Sequence, residues 1–594
     1  MITFDHPEAK QFFELIKIGV FAVSPDEDQI IFSANLSGEP ELWGMDIDSR
    51  FPYKLTSIGQ ACYDLIYSKD GSFIITSFDH DGDENTQIYA LPRNGGVLKP
   101  LVMHEGQRHM LRGISEDGTL LYYNTTNENE TYLNIHSYHL ETGEVKILHK
   151  GEIAPTFLET RNEDGSKLVV GRMFANSHTV PYLIDGSALT PLVEHPELSY
   201  TYGKAIFLND STIYFTTNYQ ADFYYLASYD IEAKEMRKVA EVDRTELHSI
   251  KLDRDQGVLY VSATTGVTEK LYQYVIERQE LTELKIPVTS ISQVVLSKKG
   301  TVYLSGGTAT SPDNLYVLKQ GHEWEELTQI QVPGIERNQL AEPDVFTYKS
   351  FDGLEIETLY FKARPEVDNK HLILWPHGGP QASEGKFFRA MFQHLVYAGY
   401  NIVAPNFRGS SDYGARFMKM VEGDWGYGPR LDNIACVDYM IEQGHVDKDK
   451  VLLMGGSYGG YMALLLHGRH PDYFKAVVDI FGVSNLFSFY ESVPEHWKPI
   501  MKIWIGDPVE DKERFTRDSP ITYLSTMTKP MLVIQGANDP RVVKAESDQI
   551  VESLKEQGTE VEYLVFEDEG HGFSKKANEV LVSERVLAFF NQYI

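Results

Sequence analysis

Seven turns of one kind, set about 45 residues apart, constrain this chain more than anything else in its first half. They are Ser24-Pro25-Asp26, Ser68-Lys69-Asp70-Gly71, Ser115-Glu116-Asp117-Gly118 and Asn162-Glu163-Asp164-Gly165, then the weaker Asn209-Asp210-Ser211, Asp255-Gln256-Gly257 and Ser297-Lys298-Lys299-Gly300. Each precedes a β-rich run such as Phe73-Ile74-Ile75-Thr76, and a second run such as Leu42-Trp43-Gly44-Met45 ends the unit. The period is that of a four-stranded propeller blade, which cannot bury both of its faces alone. The repeat predicts a seven-bladed β-propeller over residues 21–335. Residues 1–20 form a separate N-terminal segment, in which Pro7 to Ile16 reads as a short helix that packs on the second domain.

At 594 residues the chain exceeds what one core supports. After Val332-Pro333-Gly334 the pattern changes. Two alternating runs between Val345 and Phe361 turn at Asp352-Gly353. Strand-like runs then alternate with helical periods, including Leu431, Ile434, Val437 and Ile441, down to a closing helix near Val580 to Phe590. That alternation predicts an α/β-hydrolase domain over 336–594.

The chemistry is concentrated in this second half. Gly455-Gly456-Ser457-Tyr458-Gly459 lies between the apolar run Val451–Met454 and the helical run Tyr461–Leu466, the strand–turn–helix setting of a nucleophile elbow. A serine hydroxyl needs a base, and the base an orienting acid. Both lie at strand ends downstream: Met531–Ile534 runs into Asp539, and Val561–Phe566 into His571 between two glycines. Asp479 also ends an apolar run, while Asp568 and Glu569 sit on the loop of His571 itself; Asp539 is the better placed acid. Catalysis is therefore assigned to Ser457, Asp539 and His571. The oxyanion hole takes the Tyr458 amide and a second amide from the Gly-rich loop that follows the strand His371–Trp375.

A net charge of −32 argues against nucleic-acid and anionic-membrane partners. Cys62 and Cys436 are too few for a disulfide framework, and no metal-binding or other cofactor motif occurs. The start lacks a signal-peptide pattern and no apolar run reaches membrane-spanning length, so a cytoplasmic protein is expected.

The propeller together with Gly455–Met462, His377-Gly378-Gly379-Pro380, Asn406-Phe407-Arg408-Gly409-Ser410, Asp424-Trp425-Gly426, Asp539-Pro540-Arg541-Val542 and Gly570-His571-Gly572-Phe573 resembles the prolyl oligopeptidase family of serine peptidases, its acylaminoacyl peptidase branch above all. The resemblance implies that Gly379 supplies the second oxyanion amide. Other branches place a tyrosine hydroxyl where His377 stands. It implies that Arg541 holds a substrate carbonyl and that the propeller admits only short peptides. An apolar specificity pocket is expected among Phe481, Val483, Leu486, Phe489, Tyr490, Trp497 and Val542, and self-association into a dimer or higher homo-oligomer is usual in the family. The expected activity is that of a serine exopeptidase, or small oligopeptidase, that removes an N-terminal, acylated residue from short peptides. A dipeptidyl peptidase would instead need propeller acids such as Glu128, Glu130 or Glu246 to grip a free amine. A carboxylesterase would need no peptide site, and a vestigial hydrolase would leave the propeller as a binding scaffold.

Overall fold

The computed structural model describes residues 7–594. Seven four-stranded antiparallel sheets, each built from consecutive strands, form the propeller, and their first strands lie side by side around its axis. The seven predicted turns all join the first strand of a blade to the second, as Ser68–Gly71 does between Cys62–Tyr67 and Phe73–Phe78. Their chemistry explains the repeat. Asp70 accepts from Ser68 Oγ at 2.7 Å and from the Ser72 amide at 3.1 Å, and the glycine that follows adopts φ 72°. Gly118 and Gly165 adopt φ 74° and 73° at the same place, a backbone region where a Cβ is strained.

Two details depart from the expectation. The run typified by Leu42–Met45 is the third strand of its blade, and a short fourth strand at the rim, as at Pro52–Lys54, ends the unit. These rim strands are largely solvated and lack a strong apolar pattern, as in Val145–Lys150. The first blade also begins at Ile18 rather than residue 21.

Among the described residues no strand is exchanged where the ring closes. Blade seven meets blade one through Gln293, whose side chain donates to the Phe21 carbonyl at 2.9 Å and accepts from the Phe21 amide at 3.0 Å. Beside it Ile18, Phe21, Tyr303, Leu315 and Val317 pack as one apolar cluster.

The second domain holds one eight-stranded sheet. We label its strands β1 (Asp344–Lys349), β2 (Glu355–Phe361), β3 (Leu372–Leu374), β4 (Asn401–Pro405), β5 (Val451–Gly456), β6 (Val477–Ile480), β7 (Met531–Gly536) and β8 (Val561–Phe566). The order is β1-β2-β4-β3-β5-β6-β7-β8, parallel from β4 onward. Strands β3 to β7 are buried on both faces, as runs dominated by Val, Ile, Leu and Met require, and Asp479 interrupts the run of β6. No helix among the described residues is long and apolar enough to cross a membrane.

The N-terminal helix is shorter than expected, Ala9–Phe13, and packs on the second domain against helices Ala390–Tyr397 and Lys576–Phe590. Phe12, Phe13 and Leu15 share a buried cluster with Val332, Ile335 and Leu340, so both passages of the chain between the domains lie together. Elsewhere polar contacts join the domains: Asp222 with Arg416, Asp412 with His248, and Lys575 with Asp81.

Candidate active site

The nucleophile turn is tight because two glycines let chains touch. A Cβ on Gly455 would lie 2.1 Å from the Gly459 carbonyl oxygen, and one on Gly459 would lie 2.1 Å from the Pro376 carbonyl oxygen. The second contact presses the His377–Pro380 loop against the start of helix Tyr458–Arg469. Between them Ser457 takes φ 57° and ψ −121°, a strained conformation that lifts its hydroxyl out of the turn.

Three strand ends converge there. Ser457 follows β5, Asp539 follows β7 and His571 follows β8. His571 Nε2 stands 2.9 Å from Ser457 Oγ, and its Nδ1 stands 2.6 Å from Asp539 Oδ2. The other Asp539 oxygen accepts the amides of Arg541 at 2.9 Å and Val542 at 3.0 Å, so the carboxylate is fully engaged and its orientation set. Asp479 is elsewhere: it lies behind the turn, accepts the Gly482 amide at 3.0 Å, and burial pushes its carboxyl up to about 7. Asp568 is held by Lys575. Glu569 cinches the loop of His571 by accepting the amides of Ser574 at 2.9 Å and Lys575 at 3.1 Å.

The amide of Tyr458, first in its helix, has no carbonyl one turn earlier within that helix. That of Gly379 donates to no group among the described residues. Both are available to an oxyanion. The loop of Gly379 is braced from behind by His377, stacked 4.2 Å from Phe407 and 2.8 Å from Ser410 Oγ; burial drops its pKa to about 4, so it stays neutral. Beneath it Arg408 forms ion pairs with Asp432 and Asp352. Asp432 is buried on helix Gly428–Glu442 away from the face of Leu431, Ile434, Val437 and Ile441 read as apolar, and it is accommodated there because it receives that arginine; Leu431 and Ile441 are only half-buried.

Of the pocket candidates, Val483, Leu486, Phe489 and Val542 are buried in one cluster with Trp425 and Tyr458, and Tyr490 and Trp497 pack at its edge. Phe481 departs from the group. At φ 43° its side chain joins the cluster on the opposite side of the sheet, 4.6 Å from the His571 ring.

Arg541 points to the propeller. Its Nε donates to Glu84 at 2.6 Å, and Glu84 also pairs with Arg108 at 3.1 Å. Sequence reasoning passed over Glu84 and Arg108. The available signal was the acidic loop Asp79–Asn85, which separates the second and third strands of its blade and has no counterpart in the turn repeat. Glu246, a candidate amine ligand, is spent on the amides of Tyr224 and Gly414 at 2.7 and 3.1 Å. Glu128 and Glu130 are exposed, and Glu130 borders a small cavity shared with Glu84, Arg108 and Pro540. Among the described residues no cluster of three or more His, Cys, Asp or Glu is arranged to hold a metal ion.

Residues 386–594 match the model of the prolyl oligopeptidase family. That match falls within the second domain, which in this stretch is similar to that family of serine peptidases. One relative, dipeptidyl peptidase family member 6 of Caenorhabditis elegans, is 25% identical over 87% of this chain and 77% of its own length. Dipeptidyl aminopeptidase BIII of Pseudoxanthomonas mexicana is 41% identical over 35% of this chain, which is only 31% of the relative. A Mycobacterium tuberculosis puromycin-hydrolyzing peptidase shares the whole fold, with a TM-score of 0.86 at 19% identity over 99% of this chain and 96% of that one.

Proposed function

We propose that this peptidase removes an N-terminal, acyl-blocked residue from short peptides. Ser457 Oγ attacks the carbonyl of that residue while His571 takes its proton. The Tyr458 and Gly379 amides hold the oxyanion. The C–N bond then breaks, and His571 gives the proton to the leaving amine. Water repeats the sequence on the acyl-enzyme, and Asp539 keeps the imidazole in the required tautomer throughout.

One observation carries the choice of substrate. Glu84, a propeller acid that reaches Arg541, is already committed to two guanidinium groups. A neutral acyl carbonyl finds a donor in Arg541, whereas an ammonium group would meet positive charge. Val483, Leu486, Phe489 and Val542 suit an apolar side chain on the cleaved residue.

A second reading is favoured by Glu130, exposed beside the cavity at Pro540, and by the names of the two relatives. There Arg541 would hold the carbonyl of the first residue of a dipeptide and Glu130 its free amine.

Release of p-nitroaniline from acetyl-Ala, acetyl-Leu and free Ala-Pro anilides, with a short p-nitrophenyl ester and Ser457→Ala alongside, separates these. Preference for the acetylated substrates, lost in the variant, is expected. Preference for Ala-Pro would select the second reading, and turnover of the ester alone would defeat both.

A further inference from the structure

The reactive serine opens onto a second space on the far side from Arg541. A cavity of about 640 Å³ lies between blade seven, the N-terminal segment and the hydrolase domain, with Gly378, Gly456 and Ser457 at one end. That is the size of a site for a small ligand or a short peptide, ~300–1,000 Å³. Its walls beside the serine are apolar: Phe481 lies against His571 and 5.8 Å from Phe573, and Trp375 and Phe388 line it further on.

The cavity also carries charge. Asp313, on the blade-seven strand Ser311–Leu318, accepts from Ser292 Oγ and forms no ion pair among the described residues. Glu579 is 8% exposed; one of its oxygens takes Lys17, and the other is buried without a partner among the described residues. The other lining cation, Arg389, is bound to Glu384. Each positive group is thus neutralised, and Asp313 is left over. Burial raises its carboxyl above the usual range, a cost that a cation alongside would remove.

The side on which the cavity lies fixes its use. In the function proposed above Arg541, Val542, Val483 and Phe489 take the acyl half of a substrate, and none of them lines this space. The leaving nitrogen must collect its proton from His571 and so departs over the imidazole, where Phe481 and Phe573 stand. We propose that this cavity receives the leaving peptide, and that Asp313 makes it select a lysine or arginine side chain there over an acidic one. The inference rests on the peptidase reading above.

The test uses blocked tetrapeptides whose acyl half is the one favoured by the anilides. The three residues beyond the scissile bond are alanine, with a single Lys or Glu placed at each in turn. Values of kcat/KM come from chromatography of the products. In the wild-type protein Lys is expected to exceed Glu at least about tenfold at one position, the worth of a hydrogen bond to a charged group. The ratio, taken within each protein so that any general loss of activity cancels, should approach one in Asp313→Asn and invert in Asp313→Lys. Equal rates at all three positions, or a preference that survives Asp313→Asn, would overturn the inference alone. Failure to cleave any peptide while anilides still turn over would overturn the peptidase reading with it.

Discussion

Replacing Glu84 by glutamine removes the charge that holds Arg541 in place while leaving a side chain of the same shape. Arg541 is 42% exposed at its side chain and Glu84 12%, so the arginine is tethered at the domain boundary rather than packed. Freed, it must be ordered again by each substrate, which costs about 0.5–1.5 kcal/mol for a long side chain. That corresponds to a fall in kcat/KM on acetyl-Ala p-nitroanilide of about 2- to 13-fold, since ~1.4 kcal/mol is tenfold. Arg541→Ala removes the donor itself, and a hydrogen bond to a charged group is worth about 1.5–3 kcal/mol, or ~10- to 150-fold. Because Glu84 acts through Arg541, adding Glu84→Gln to Arg541→Ala should cost almost nothing more. The loss should appear mainly in KM, as the tether serves binding before chemistry. Independent, multiplying losses in the double variant would refute the argument. So would a gain in hydrolysis of free-amine substrates in Arg541→Ala without loss on the acetylated ones.

Two further perturbations test other parts of the molecule. Gly459→Ala sets a methyl against the Pro376 carbonyl and must displace the loop carrying Gly379; kcat should fall by about 10²–10³, the worth of one oxyanion donor, and an unchanged kcat would remove Gly379 from that role. The contact of His248 with Asp412 at 3.0 Å should be pH-dependent. Burial works against the charge on both groups, but their pairing outweighs it, placing His248 above 6.5 and Asp412 below 3.8. The stability contributed by His248 is complete below pH 6.5 and lost as pH rises through its folded value; that of Asp412 is complete above 3.8 and lost as pH falls. Protection of the Asp412 loop against hydrogen exchange, measured relative to the intrinsic rate at each pH, should therefore be greatest between about pH 4 and 6.5. Exchange should quicken at higher pH beyond its intrinsic rate. Loss of that extra dependence in His248→Gln is the expected outcome, and its persistence would refute the pairing.

Much of this was legible because it is local. Ser457 declares itself by the glycines that its turn needs, and the blade turns by an aspartate that must cap its own backbone. Asp539 and His571 are far apart in sequence, yet parallel strands deliver their ends to one edge, so position at a strand end was a sufficient clue. Glu84 shares no such regularity. It reaches Arg541 from 457 residues away, and only the docking of two domains brings them together. Phe481 was grouped with Val483 because they are neighbours in the chain. Its left-handed backbone sends it to the other side of the sheet, which no side-chain pattern encodes. Asp313 looks like any acid on a strand until the cavity around it is seen.

The two strands of chain that link the domains have a mechanical consequence. They run side by side through one apolar cluster, as two pins of a door. Two adjacent pins permit swinging about the line through them and oppose sliding and twisting. Being apolar, they would stay seated if the charged latches at Asp222, His248 and Lys575 were released. Phe13 and Leu15 belong both to the pins and to the wall of the cavity behind Ser457. A swing about that line would change the width of this space least, whereas the Glu84–Arg541 clamp spans the gap and would have to part.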